Sequence, residues 1–250
     1  MLPAPTKATL ERMRHLSRGR IHATRSVTRA IIETFSGVAL IKIHVLLGRP
    51  LRKWRTTWGT TAAERQRGYP GDQLLPNPSW RYTHAVTIDA TPAQVWPWIV
   101  QIGQGRGGFY SYEALENLVG CRISNAHEIL PQFQHLAVGD TIRLHPKSPP
   151  IPVALIDVER HLVLFASDAE SGDATVWGFH LVPVDGHRTR LIERGGSTHG
   201  DTFRSRLAFG RMLLEPISFV MSRKMLLTIR RLANAKVAPT RANGRSRSMH

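Results

Sequence analysis

Apolar and polar positions divide the chain into stretches of distinct character. Residues 1–27 are rich in Arg and hold no apolar run. The next stretch, 30–48 (AIIETFSGVALIKIHVLLG), is almost continuously apolar and predicts a helix of nearly membrane-spanning length. Residues 68–80 (GYPGDQLLPNPSW) are dense in Pro and Gly and predict an irregular connection. From Arg81 the period becomes two. Tyr82, His84, Val86 and Ile88 alternate with Thr83, Ala85 and Thr87, the signature of a strand. Thr91-Pro-Ala-Gln94 then has helix-start chemistry: a capping Thr, a Pro at the first helical position and a Gln three residues on. Pro97 must kink or shorten that helix. Ser111 is placed to cap a second helix over Tyr112–Val119, and Asn125-Ala-His-Glu128 to cap a further short turn.

Beyond residue 138 the alternation predicts strands at Asp140–His145, Val153–Glu159, His161–Ser167, Ala174–Val184 and Thr189–Arg194. Their short connections, such as Glu159-Arg-His161 and Asp185-Gly186, imply antiparallel neighbours. Asp201 to about Ala235 reads as one long helix bent at Pro216, and residues 236–250 read as a disordered basic tail. The class is α+β: a curved antiparallel sheet wrapped around a long C-terminal helix, with extra helices at the N-terminus.

Charge refines this picture. The formal net charge is +16. Residues 1–67 carry 14 Lys/Arg and 3 acids, residues 202–250 carry 11 and 1, and residues 68–201 carry 9 and 14. The basicity therefore belongs to the ends and not to the middle. A nucleic-acid-binding fold carries its cations on the domain surface with aromatics interleaved, so nucleic acid is disfavoured as a partner. Basic ends beside an apolar segment point to an anionic membrane surface, with solvated tails as the alternative. Insertion of 30–48 sums close to zero. Its strong apolar residues favour it by about 3–6 kcal/mol, while Glu33 and Lys42 oppose it by about 2.5–3.5 kcal/mol each near a membrane centre. A helix lying on a membrane or packed on the domain is favoured over a true span. The expected location is cytoplasmic, at the inner membrane face, because the apolar run lies too far along for a secretory signal. One cysteine, Cys121, excludes an internal disulfide and reads as a small buried group.

Gly103-Gln-Gly-Arg-Gly-Gly108 spells G-x-G-x-x-G, but a dinucleotide turn needs a strand before the glycines and a helix directly after them. Here helix-start chemistry lies upstream. The glycines read as a tight loop between two helices, delivering Phe109, Tyr110 and Tyr112 to one place as core or as the lip of a pocket. Metal and nucleophile patterns fail: His127-Glu-Ile-Leu-Pro131 lacks the second His of a zinc motif, and no G-x-S-x-G occurs. No metal and no cofactor is expected.

Four stretches carry a resemblance. They are Thr91-Pro-Ala-Gln-Val-Trp-Pro-Trp-Ile-Val-Gln-Ile-Gly103, Gly107-Gly-Phe-Tyr-Ser-Tyr-Glu-Ala-Leu-Glu-Asn117, Val138-Gly-Asp-Thr141 and 214–227 (LEPISFVMSRKMLL). They resemble the START-like (SRPBCC, polyketide cyclase-like) superfamily over roughly residues 56–235. The resemblance implies a helix-grip fold with a deep apolar ligand tunnel between sheet and final helix. It transfers no catalytic residue, and its many members with an N-terminal hydrophobic helix make 30–48 a weakened anchor preceding residue 56.

Candidate ligand-contacting residues follow from strand faces. On the strand 174–184, Trp177 and Phe179 share one face and His180 lies on the other; on 189–194, Glu193 opposes Arg194. If His180 and Glu193 both face inward they form a buried pair able to orient a polar ligand group or move a proton; otherwise they face solvent or make a structural bond. Glu215 is a polar intruder in an apolar helix that meets a ligand or an ion-pair partner. Met212, Phe219, Tyr110, Tyr112 and Arg194 complete the set. The leading expectation is non-catalytic binding of a hydrophobic small molecule or lipid. A cyclase- or dehydratase-type enzyme acting on a polyketide-like or aromatic substrate is the alternative.

Overall fold

A computed structural model describes residues 32–203 and 212–244, with side chains described as far as Ala235 except that of Arg49. Six strands form one antiparallel sheet: β1 (Trp80–Ile88), β2 (Thr141–Ile142), β3 (Ile151–Asp157), β4 (His161–Ser167), β5 (Ala174–Pro183) and β6 (Thr189–Thr198). Their order is β1-β6-β5-β4-β3-β2. Strands β2 to β6 follow as a meander, and β1 closes against the last of them, which is the helix-grip order. β1 is covered on both faces: Trp80, Tyr82, His84, Val86 and Ile88 are buried on one, and Thr83 and Ala85 on the other.

Strand β6 runs past its expected end at Arg194. Gly195-Gly196 resembles a turn in sequence, yet here it is strand, because bulky neighbours occupy the space a side chain would take. A Cβ on Gly195 would stand 2.5 Å from the Tyr82 hydroxyl, and one on Gly196 would stand 3.1 Å from the Trp80 carbonyl oxygen.

Helices follow local chemistry. α1 spans residues 32–46, α2 is Gly48–Thr56 and α3 is Ala62–Gln66, which starts on a Thr61/Glu64 capping box. α4 (Pro92–Val100) starts on the expected Thr91/Gln94 capping box and stays short around Pro97. α5 is Glu113–Leu118, but Ser111 does not cap it: its hydroxyl donates instead to the Met221 carbonyl at 3.1 Å. Between α4 and α5 the glycine run forms the expected tight loop, with Gly103 and Gly108 bridged by two backbone bonds. Asn125 Oδ1 accepts from the backbone N–H groups of Phe109 and Tyr110, so Asn125 fixes this loop and does not cap a turn.

The final helix, α6, is Leu214–Gly244. Pro216 falls in its first turn, where a backbone N–H has no intrahelical partner to lose. The helix continues to Gly244, through the first part of the tail expected from residue 236; the rest of that tail, the basic segment 1–27 and residues 204–211 of the predicted helix lie outside the described residues. Phe219, Val220, Met225, Leu226, Ile229 and Ala233 give α6 its buried stripe, which packs on β1 and α4.

Helix α1 packs on the body of the protein. Gly37 lets it approach α5: a Cβ there would stand 2.6 Å from Leu115 Cδ1. Val38, Leu40 and Ile41 pack on a cluster of Tyr112, Leu115, Phe219 and Val220, and Glu33 pairs with Lys224 of α6 at 3.2 Å. Among the described residues, no helix is long and apolar enough to cross a membrane.

Replacing Gly195 by Ala forces the Tyr82 ring aside and is expected to lower stability by about 1–3 kcal/mol. Gly186→Ala, where a Cβ meets nothing within 4 Å, is expected to stay within about 0.5 kcal/mol. Chemical denaturation of both variants checks the contrast.

Candidate functional site

On the concave side of the sheet the Glu193 carboxylate is fully buried. Four donors from two strands and a helix converge on it. Oε1 accepts from Ser222 Oγ at 2.7 Å, from Trp177 Nε1 at 2.8 Å and from the Tyr82 hydroxyl at 3.2 Å. Oε2 lies 3.1 Å from Nδ1 of His84, its direct cross-strand partner. The other nitrogen of that ring, Nε2, is 2.9 Å from the carbonyl oxygen of Arg55. A carbonyl only accepts, so Nε2 carries a proton, and a second proton is shared between Nδ1 and the carboxylate. His84 and Glu193 together form a buried, charge-compensated pair. Burial and the adjacent carboxylate raise the Tyr82 phenol well above its ordinary range, which keeps it a donor.

Arg55 continues the chain of charges. Its guanidinium is buried and pairs with Glu215 Oε1 through Nη2 at 2.6 Å and Nε at 3.2 Å, while Nη1 donates to the His44 carbonyl at 3.0 Å. Arg52 reaches Glu215 Oε2 at 3.1 Å. Phe219 sits beside this chain with the rings of His44, Trp54, Trp58 and His84 around it at centroid distances of 4.9, 5.1, 6.4 and 5.5 Å.

The expected site residues are therefore split. Trp177, Phe179 and Glu193 do share the concave face. His180 does not join Glu193: it lies on the opposite face of β5, stacks on Tyr69 at 4.8 Å and places Nδ1 3.1 Å from His161 Nδ1. Arg194 is on that same outer face, pairing with Asp72 at 2.7 Å and donating to Thr83 Oγ1 at 2.9 Å. The alternation of side chains along each strand dictates both placements. Glu215 is the ion-pair partner of Arg55 and Arg52. Met212 is 88% exposed, ahead of the buried stripe of α6. Tyr110 is core: its ring packs edge-on against Trp98 and its hydroxyl accepts from Gln101 Nε2 at 2.6 Å. Tyr112 and Phe219 belong to the cluster beneath α1.

Tyr82, His84 and Ser222 complete the site and were not singled out from the sequence. The signal for the first two is present, since they stand on the buried face of a clearly alternating strand. Their meeting with Glu193 depends on the pairing of β1 with β6, more than a hundred residues apart.

Elsewhere, a cleft of about 710 Å³ opens near the β3–β4 turn, lined by Arg67, Asp157, Glu159, Arg160, His161 and Leu181 among others. Its acids and bases offset one another, which gives it no evident charge preference. Among the described residues, no group of three or more His, Cys, Asp or Glu is placed to hold a metal ion.

The strand order and the helix clasped by the concave face define an α+β helix-grip protein, the architecture of START-like, polyketide cyclase-like proteins. No family model and no curated protein matches the chain. Among solved structures it is similar to norcoclaurine synthase from Thalictrum flavum, at 15% identity over 67% of this chain and 93% of that one, with a TM-score of 0.37. It is also similar to a conserved protein from Geobacillus kaustophilus (12% identity, 62% and 95% covered, TM-score 0.36) and to CalU16 from Micromonospora echinospora (12% identity, 63% and 86% covered, TM-score 0.31). The fold assignment rests on the chain's own topology and not on these scores.

Two buried groups off the Glu193 network tune stability with pH in opposite directions. Burial lowers the His180 pKa from 6.5 to about 3. The unfolded chain takes up that proton as pH falls below 6.5 while the folded chain does not, so stability is lost on acidification by up to about 1.4 kcal/mol per pH unit. Burial, with Glu113 nearby, raises Glu116 from 4.5 to about 7, so its stabilising protonated form is lost as pH rises through 7. Thermal melts should show His180→Gln flattening the acid slope and Glu116→Gln raising Tm at pH above 7 but not below 4.5.

Proposed function

We propose that this protein binds a hydrophobic small molecule or lipid between the concave sheet face and α6, and that it does so without catalysis. One observation carries the reading. On the concave face, Leu164 and Phe179 are sealed completely, yet their same-face neighbours Ala166 and Trp177 stay half-buried, and Phe109 from the glycine loop is half-buried against the same core. Apolar surface left partly open beside a closed core gains about 25 cal/mol for each Å² that a ligand covers. The Trp177 ring is held in place for this by its bond to Glu193, so an apolar ligand meets a rigid aromatic wall.

The Glu193 network favours binding over reaction. Three donors crowd Oε1 of the carboxylate, and His84 holds Oε2. A general base needs a free acceptor within reach of the proton it takes. Glu193 is fully buried with both oxygens engaged, which favours an anchor for the wall of the site.

A second reading keeps one specific observation in its favour. His84, Glu193 and Tyr82 are stacked in the interior, with 4.5 Å between the Tyr82 and His84 rings, and such a set suits acid–base chemistry on a polyketide-like or aromatic substrate. In that case the proton held between His84 and Glu193, and not one on His180, is the one that moves.

Native mass spectrometry of the purified protein tests the first reading. A co-purified lipid-like mass is expected, weakened about tenfold or more in Trp177→Ala, where the aromatic wall is lost. Protein that is empty in every preparation and takes up no fatty acid or aromatic probe contradicts it. If a turnover is found and His84→Gln abolishes it while leaving ligand mass bound, the second reading replaces the first.

A further inference from the structure

We infer that the outward face of α1, continued by α2, docks the protein on an anionic lipid bilayer. Ile32, Phe35, Ala39, Ile43 and Leu46 recur at spacings of three and four residues and so form one stripe along α1. That stripe points away from the protein: Ile32 is 62% exposed, Phe35 72%, Ile43 46% and Leu46 83%. Leu47 and Trp54 continue the exposed apolar surface into α2. The opposite side of α1, with Gly37 and His44, is buried against α5 and α6, so the helix is fixed in place with its apolar stripe turned out. An apolar patch of this size on a folded surface marks a place of contact.

Charge selects the occupant. Between Glu33 and Glu64 the chain has no acid at all, while it carries Lys42, Arg49, Arg52, Lys53 and Arg55. Arg55 and Arg52 are engaged by Glu215, whereas Lys42 and Lys53 are exposed beside the stripe. A second copy of the same face would bring like charges together. An anionic leaflet instead receives the apolar stripe among its acyl chains and the lysines among its headgroups. Each such lysine strengthens binding about fivefold near an anionic surface. With its other side packed on α5 and α6, this helix lies in the interface and does not cross it.

The inference stands on α1 and α2 alone and does not depend on what the interior holds. It is tested by sedimenting the full chain with vesicles of phosphatidylcholine, with and without phosphatidylglycerol. Binding to the anionic vesicles is expected. Lys42→Glu with Lys53→Glu should weaken it about tenfold or more, and Phe35→Glu with Leu46→Glu should abolish it. Both double variants should keep the wild-type Tm and the wild-type co-purified ligand mass, while Trp177→Ala should keep vesicle binding. The inference is overturned if Phe35→Glu with Leu46→Glu still binds as wild type. It is equally overturned if neutral vesicles bind as well as anionic ones, or if the wild type sediments as a dimer that Phe35→Glu with Leu46→Glu separates, since a second copy then covers the face.

Discussion

A carboxylate with no contact to water has to be neutralised, and Glu193 is such a group. Left alone in the interior it would cost several kcal/mol. The partners that neutralise it come from β1 (Tyr82, His84), β5 (Trp177) and α6 (Ser222), so satisfying one side chain fixes the distances between the sheet edge, its centre and the clasped helix. The ordering of the concave face follows from this. Trp177 cannot swing away without giving up its indole N–H bond to Glu193, and α6 cannot slide without withdrawing the Ser222 hydroxyl.

His84 passes the constraint outward. Its second nitrogen bonds to the Arg55 carbonyl, and Arg55 meets Glu215 at the start of α6. A chain of hydrogen-bonded polar groups thus runs from the interior to the first turn of the final helix, tying α2 to the same framework. The outer face of the sheet repeats the tactic with different residues: Arg194 meets Asp72, and Arg190 meets Glu64. Neighbouring residues of β6 therefore serve opposite surfaces, Glu193 ordering the interior and Arg194 pinning the loop that covers the exterior.

Local signals in the sequence found most of the elements. Thr91 with Pro92 and Gln94 announces α4, and the alternation from Tyr82 to Ile88 announces β1. Such signals depend on a few adjacent residues and survive folding unchanged. What depends on distant pairing was harder to read. The sequence contains a histidine beside a carboxylate, but His180 and His84 look alike until the β1–β6 register is known, and only His84 stands across from Glu193. That β6 runs on through Gly195-Gly196, past the expected end at Arg194, shows only once the Tyr82 ring that needs the space is placed there. Met212 and Glu215 depend on where α6 begins, which no local cap announces.

The central claim is that a hydrophobic ligand lies against Trp177 on the concave face. It is tested most directly by following the indole N–H resonances of ¹⁵N-labelled protein during titration with a fatty acid below its micelle concentration. The account predicts that the Trp177 signal shifts saturably and that the sealed indole of Trp98 barely moves. A Trp177 signal that stays in place while the exposed indole of Trp54 shifts would contradict it.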